Sequence, residues 1–64
     1  MRFRIDNMTC GGCARSVTRA IQKLDPAAQV DIDLETHLVQ VRSQRPQGDV
    51  AQALEAVGFP PVAA

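Results

Sequence analysis

Apolar residues in this chain recur at two spacings, and the spacing switches four times between Met1 and Ala64. That succession constrains the fold more than any other property. Phe3 and Ile5 alternate with Arg2, Arg4 and Asp6, the period of a strand with one buried face. From Cys13 the apolar positions become Val17, Ala20, Ile21 and Leu24, which is helical spacing. Asp25-Pro26 closes that helix, because a residue before proline avoids helical geometry. Val30, Ile32 and Leu34 then alternate with Asp31 and Asp33, and Val39 and Val41 alternate with Gln40 and Arg42. With a turn at Glu35–His37 these make a hairpin. Asp49 is the expected N-cap of a second helix carrying Val50, Ala53, Leu54 and Val57, and Gly58 stands where a helix-ending glycine belongs. A short last strand is expected around Pro61-Val62, on an edge because proline cannot donate to a ladder.

The order strand, helix, strand, strand, helix, strand predicts an α+β fold with right-handed crossovers. It is the ferredoxin-like βαββαβ sandwich: an antiparallel four-stranded sheet of order 4-1-3-2 with two helices on one face. Residues 1–64 make one domain. Arg2, Arg4, Asp31, Asp33, Gln40 and Arg42 should form the solvated sheet face, with Arg42 paired to the aspartates across strands. The first loop, the hairpin turn and the loop at Gly58–Pro60 should meet at one end.

A chain of 64 residues buries only about 60% of its unfolded surface. It has no room for a deep, supported substrate pocket, so an enzyme is not expected. Seven basic and seven acidic residues give zero net charge, and Phe3 and Phe59 are the only aromatics, so neither a phosphate-binding field nor a base-stacking platform is available for nucleic acid. No run approaches the ~18 apolar residues of a membrane span, and Met1–Arg4 is not backed by the apolar stretch of a signal peptide. The expectation is a cytoplasmic protein without direct membrane insertion, its thiols kept reduced.

Both cysteines lie in Met8-Thr9-Cys10-Gly11-Gly12-Cys13, between the first strand and the first helix. Two thiols at this spacing converge on one point, beside a helix start that favours negative charge. Soft thiolates suit Cu(I), Hg(II), Zn(II) and related ions. Structural zinc wants four protein ligands, and this chain supplies two sulfurs and the single histidine His37. A d10 ion content with two or three sulfurs fits better, Cu(I) above all. Gly11 and Gly12 are expected to let the backbone turn tightly around the ion. The same spacing describes thiol-disulfide oxidoreductases, which remain an alternative from another class. Structural disulfide and buried-thiol readings fit the reducing compartment and the Gly-Gly pair less well.

The six-residue motif, together with Phe3–Asp6, Val17, Leu24, the Val30–Val41 hairpin and Gly58-Phe59, resembles the heavy-metal-associated domain family. The resemblance is greatest to small bacterial copper chaperones and covers essentially the whole chain. It implies Cu(I) held by Cys10 and Cys13 and passed by thiolate exchange to a partner, such as a copper-transporting P-type ATPase or another copper acceptor. Copper bridging two copies into a homodimer is a further arrangement. An excised transporter domain and a domain for Hg, Zn or Ag are the alternative readings. A start at Met1 and a complete fold by Ala64 favour a free-standing protein.

Around the pair, Met8 is a soft sulfur whose commoner use is to fill the core, and His37 is a candidate third ligand on an exposed turn. Thr9 is expected to cap the first helix or to hydrogen-bond a cysteine. Phe59 matches the family's aromatic near the metal, followed here by Pro60-Pro61. Arg15, Arg19 and Lys23 recur every four residues on the first helix, either as a docking stripe for an acidic partner or as a plain solvated face.

Overall fold

The computed structural model describes all residues from Met1 to Ala64. The elements are β1 (Arg2–Arg4), α1 (Gly11–Leu24), β2 (Gln29–Asp33), β3 (Leu38–Arg42), α2 (Gln47–Ala56) and β4 (Val62–Ala63). The sheet runs β2-β3-β1-β4 with every neighbouring pair antiparallel, which is the expected order read from its other edge. No helix is long and apolar enough to cross a membrane.

Register decides which residues enter the core. Phe3 lies opposite Val39 on one side and Ala63 on the other, while Val30 faces Val41 and Ile32 faces Val39. The alternation therefore points Phe3, Val39 and Val41 at the helices, where they meet Val17 and Ile21 of α1 and Val50 and Leu54 of α2. Each of these side chains is 2% exposed or less. Full burial of one such side chain contributes about 1.5–3 kcal/mol, so this small cluster carries most of the favourable free energy. Arg2, Arg4, Asp31, Asp33, Gln40 and Arg42 are exposed on the opposite face, as the alternation predicts. The expected cross-strand pairing of Arg42 with the aspartates does not form. Register sets Arg42 opposite Gln29 and Asp31 opposite Gln40, and the one ion pair is Arg4–Asp6 at 3.1 Å.

Three boundaries differ from expectation, each for a local reason. β2 stops at Asp33, and Leu34 lies in the turn, exposed. The Asp33 carboxylate accepts the N–H groups of Glu35 (3.0 Å) and Thr36 (3.4 Å), an Asx-type closure that ends the strand early. α2 is capped by Pro46 rather than Asp49: the Pro46 carbonyl accepts the Asp49 and Val50 N–H groups, and Asp49 sits in the first turn, beside the positive end of the helix. β4 begins at Val62, after the two prolines that have no N–H to give.

The end of α2 follows the sequence expectation closely. Gly58 has φ 87°, its N–H bonds Glu55 O at 3.1 Å, and the Phe59 N–H bonds Leu54 O at 3.0 Å. This is the paired closure of a Schellman motif. It turns the chain toward β4 and leaves Phe59 packed against the core. A Cβ at Gly58 would meet nothing within 4 Å, so the penalty for a side chain is purely conformational. Gly58→Ala is expected to lower stability by about 1–2 kcal/mol in urea unfolding, with Gly58→Asn costing less because asparagine tolerates this backbone.

Candidate metal centre

Helix α1 starts at Gly11, two residues before the apolar pattern begins, and its N-cap is Cys10. Cys10 is extended (φ −148°, ψ 168°) and its Sγ accepts the Cys13 N–H at 3.4 Å. Its carbonyl accepts the Ala14 N–H at 3.1 Å. The sulfur thus fills the place that a serine or aspartate oxygen usually takes. Thr9, the expected cap, is exposed and its side chain makes no such bond. The N-cap position of Cys10 also explains the spacing. An N-cap and the third helical residue lie on the same side of the helix start, and the two Sγ atoms come within 3.1 Å of each other.

Both cysteines are free thiols, Cys10 exposed and Cys13 half-buried against the core. The Cys13 thiol is held below its ordinary pKa. The Cys10 side chain bonding to it is the largest cause, the Thr9 N–H comes next, and partial burial opposes both. The backbone N–H groups of Cys10 and Cys13 act in the same direction as Thr9. These donors favour the thiolate form of Cys13 over the thiol.

Gly11 and Gly12 do not make the tight turn expected of them. Both are helical, and positive φ is confined to Gly58 and His37. A Cβ at Gly11 would meet nothing within 4 Å, and one at Gly12 would lie 3.8 Å from Cys10 Sγ. The glycines leave the surface beside the sulfurs bare.

Three loops meet at this end, as the topology requires. The Asn7 side chain donates to Gly58 O at 2.9 Å, joining the first loop to the end of α2. The Ile5 N–H bonds His37 O at 2.8 Å, and His37 Nδ1 lies 3.1 Å from Met8 O. Met8 itself is fully buried, its side chain part of the core. His37 is therefore near the motif, but no group of three or more His, Cys, Asp and Glu side chains is placed to hold a metal. Phe59 is half-buried beside the core. Arg15, Arg19 and Lys23 are exposed along α1, with no carboxylate within 4 Å of any of them. The clamp made by Asn7 was not anticipated. Its only sequence signal is an amide-bearing residue directly after a strand.

Fold and site together define a small soft-metal-binding module, and comparison with known proteins agrees. Residues 2–60 match the model of the heavy-metal-associated domain. The chain belongs to that family. It is 38% identical over 56 residues to the human copper transport protein ATOX1, covering 88% of this chain and 79% of the other. It is 32% identical, also over 56 residues, to a chloroplastic/cytosolic copper chaperone for superoxide dismutase from Arabidopsis thaliana; this covers 88% of the chain but only 17% of that larger protein. Among solved structures, a gold binding protein superposes with a TM-score of 0.93 at 48% identity, over 95% of this chain and 94% of the other.

Because neither motif glycine needs a left-handed backbone, Gly11→Ala is expected to raise thermal stability slightly, by about 0.5 kcal/mol. A loss of stability in the melting curve would show that the helix start requires glycine after all.

Proposed function

We propose that this protein is a Cu(I) metallochaperone of the cytoplasm, with Cys10 and Cys13 as the ligands. The observation that carries the reading is the sulfur pair itself: two free thiols 3.1 Å apart at a helix N-terminus, with no third side chain grouped for a zinc-like cage. Copper is the cargo. Two soft donors suit a monovalent d10 ion, and the partial positive charge of the helix start offsets the negative charge of a bis-thiolate complex. The copper proteins among the relatives support the choice of ion.

Delivery proceeds by ligand exchange with a copper acceptor such as a P-type copper-transporting ATPase. An incoming partner thiolate forms a sulfur–copper bond while one of the Cys10 and Cys13 bonds breaks, and the released sulfur takes up a proton. The ion keeps two or three sulfurs throughout, so none is set free. The exposed Cys10 is the sulfur a partner reaches first. The same exposure allows two copies to share one ion.

A second reading concerns the ion. The 48% identity to a gold binding protein favours Au(I), which has the same charge and d10 configuration as Cu(I), as an alternative cargo for the same sulfurs.

The test is a competition titration of the reduced protein against a chromogenic cuprous chelator, repeated with Au(I) and Zn(II). Tight one-to-one Cu(I) binding is expected, and it should vanish in the Cys10→Ser/Cys13→Ser double variant. Serine is a strong N-cap, so helix α1 and the far-ultraviolet spectrum should survive that change. Stoichiometric binding by the double variant would place the ligands elsewhere. The ion displaces thiol protons, so apparent affinity should fall as pH drops. A depressed thiol pKa keeps the Cys13 thiolate available to lower pH than an ordinary cysteine, so binding through it should weaken later as pH falls.

Docking is proposed to use Arg15, Arg19 and Lys23, which form a cationic stripe leading away from the sulfurs and suit an acidic partner surface. Arg19→Glu should slow copper transfer and flatten its dependence on salt. An unchanged rate and salt slope would leave the stripe as a solvated helix face.

A further inference from the structure

The strands sort the charge on the outer face of the sheet. Residues directly opposite each other on paired strands point to the same side, so the register reads that face as rows. One row is Asp31, Gln40 and Arg2, on β2, β3 and β1. The next is Asp33, Leu38, Arg4 and Val62, ending on β4. Across β2, β3 and β1 each row runs acid, neutral, base. The acidic side chains thus form a stripe on β2 and the basic ones a stripe on β1. Between them lies β3, with Gln40 exposed and Leu38 half-buried.

Within one molecule the stripes do not meet. Two strand spacings separate β2 from β1, about 9.6 Å, and the one ion pair of the chain is Arg4–Asp6. That pair engages Arg4 Nε and leaves the outer guanidinium N–H groups open. Asp33 uses Oδ1 to close its turn, which leaves Oδ2 free. Asp31 and Arg2 make no side-chain bond at all and face solvent.

A second copy of this face, turned about a two-fold axis along β3, reverses the order of the strands and keeps the order of the rows. Asp31 then meets Arg2 of the second copy and Asp33 meets its Arg4, and symmetry repeats both pairs. Leu38 meets Leu38 and Gln40 meets Gln40 on the axis. Val62, exposed on β4, overhangs the far edge of β2, beside the turn that holds the exposed Leu34. Arg42 is the one outer-face charge brought to its own copy. It stands exposed at the end of β3, where a long side chain can turn into solvent.

We propose that the outer sheet face is a self-association surface whose partner is a second copy of this chain. Both helices lie on the other face of the sheet, so the contact leaves α1 and the cysteine loop free. It uses no sulfur and no metal, unlike a copper-bridged pair, and it holds whether or not the cysteines bind copper. Three overlapped strands cover roughly 15 by 15 Å on each copy. That is well below the ~1,200 Å² of total area typical of stable complexes, so the dimer is weak and forms at high protein concentration.

The experiment is sedimentation equilibrium of the reduced protein with chelator present, up to about 1 mM, at low and at high salt. Association is expected toward the upper end of that range, weakening as salt screens the pairs. Asp31→Arg and Arg2→Glu each set like charges opposite one another and should weaken association roughly tenfold or more. Mixed in equal amounts, the two variants restore opposite charges at both Asp31–Arg2 contacts. The mixture should therefore associate within about threefold of the unaltered protein. Both substitutions are on exposed positions, and circular dichroism checks that each variant is folded. Concentration-dependent amide shifts in the nuclear magnetic resonance spectrum should fall on β1, β2 and β3.

A protein that stays monomeric at 1 mM and low salt would overturn the proposal. So would folded variants that associate no more tightly together than apart. Amide shifts confined to α1 and α2 would place the contact on the helical layer and overturn it equally.

Discussion

Helix α1 begins on a sulfur atom, and the site follows from that one bond. By accepting the Cys13 N–H at 3.4 Å, Cys10 Sγ satisfies one of the donors that every helix start leaves unpaired. The bond sets where the helix begins, so Cys13 falls at its third residue with its own sulfur 3.1 Å away. It also presents the positive end of the helix to the place where negative charge collects. A thiol is a poorer acceptor than the oxygen of serine or aspartate. The helix start is consequently tied to the state of Cys10: whatever draws that sulfur outward also releases a backbone N–H.

Such a cap needs firm ground behind it, and the fold supplies it from three directions. Met8 is buried in the core, Asn7 is bound to the carbonyl of Gly58, and His37 holds the Met8 carbonyl. These bonds come from the first loop, the end of α2 and the hairpin turn, which the βαββαβ topology gathers at one end. The Schellman closure at Gly58 serves this arrangement as well. It places Gly58 O for Asn7 and Phe59 against the core in one turn of chain. Burial stops abruptly after Met8. From Thr9 to Gly12 the chain is exposed, so the two sulfurs stand at the boundary between a fixed base and an open rim.

Much of this was legible in the sequence because the core is written by period. Phe3, Ile5, Val17, Ile21, Val39, Val41, Val50 and Leu54 all occupy the buried positions that alternation or helical spacing assigns them. What escaped was decided by backbone bonds that period does not encode. The cap of α1 went to Cys10 instead of Thr9 because a sulfur can serve as an acceptor, which residue preferences for capping oxygens underrate. The cap of α2 went to Pro46 because its carbonyl is free and its φ is already set. Leu34 left its strand because the Asp33 carboxylate captured the next two N–H groups. The Arg42 pairing failed by register, which a hairpin fixes through its turn and not through charge. Of the residues around the motif, the structure brings His37 to Met8 and leaves it outside any three-donor cluster.

Charge completes the argument, because zero net charge conceals an asymmetric distribution. Helix α1 carries Arg15, Arg19 and Lys23 and no acidic residue, while α2 carries Asp49 and Glu55 and no basic one. The helical layer is therefore dipolar, with its positive side continuous with the cysteine loop. Long-range attraction by net charge is absent, so any orientation of a partner must come from this dipole at distances near a Debye length, about 8 Å at physiological salt. That range is short enough to act only when the surfaces are almost touching. An arrangement of this kind contributes little to finding a partner and much to the angle of docking, which is what the proposed exchange through shared sulfurs would demand.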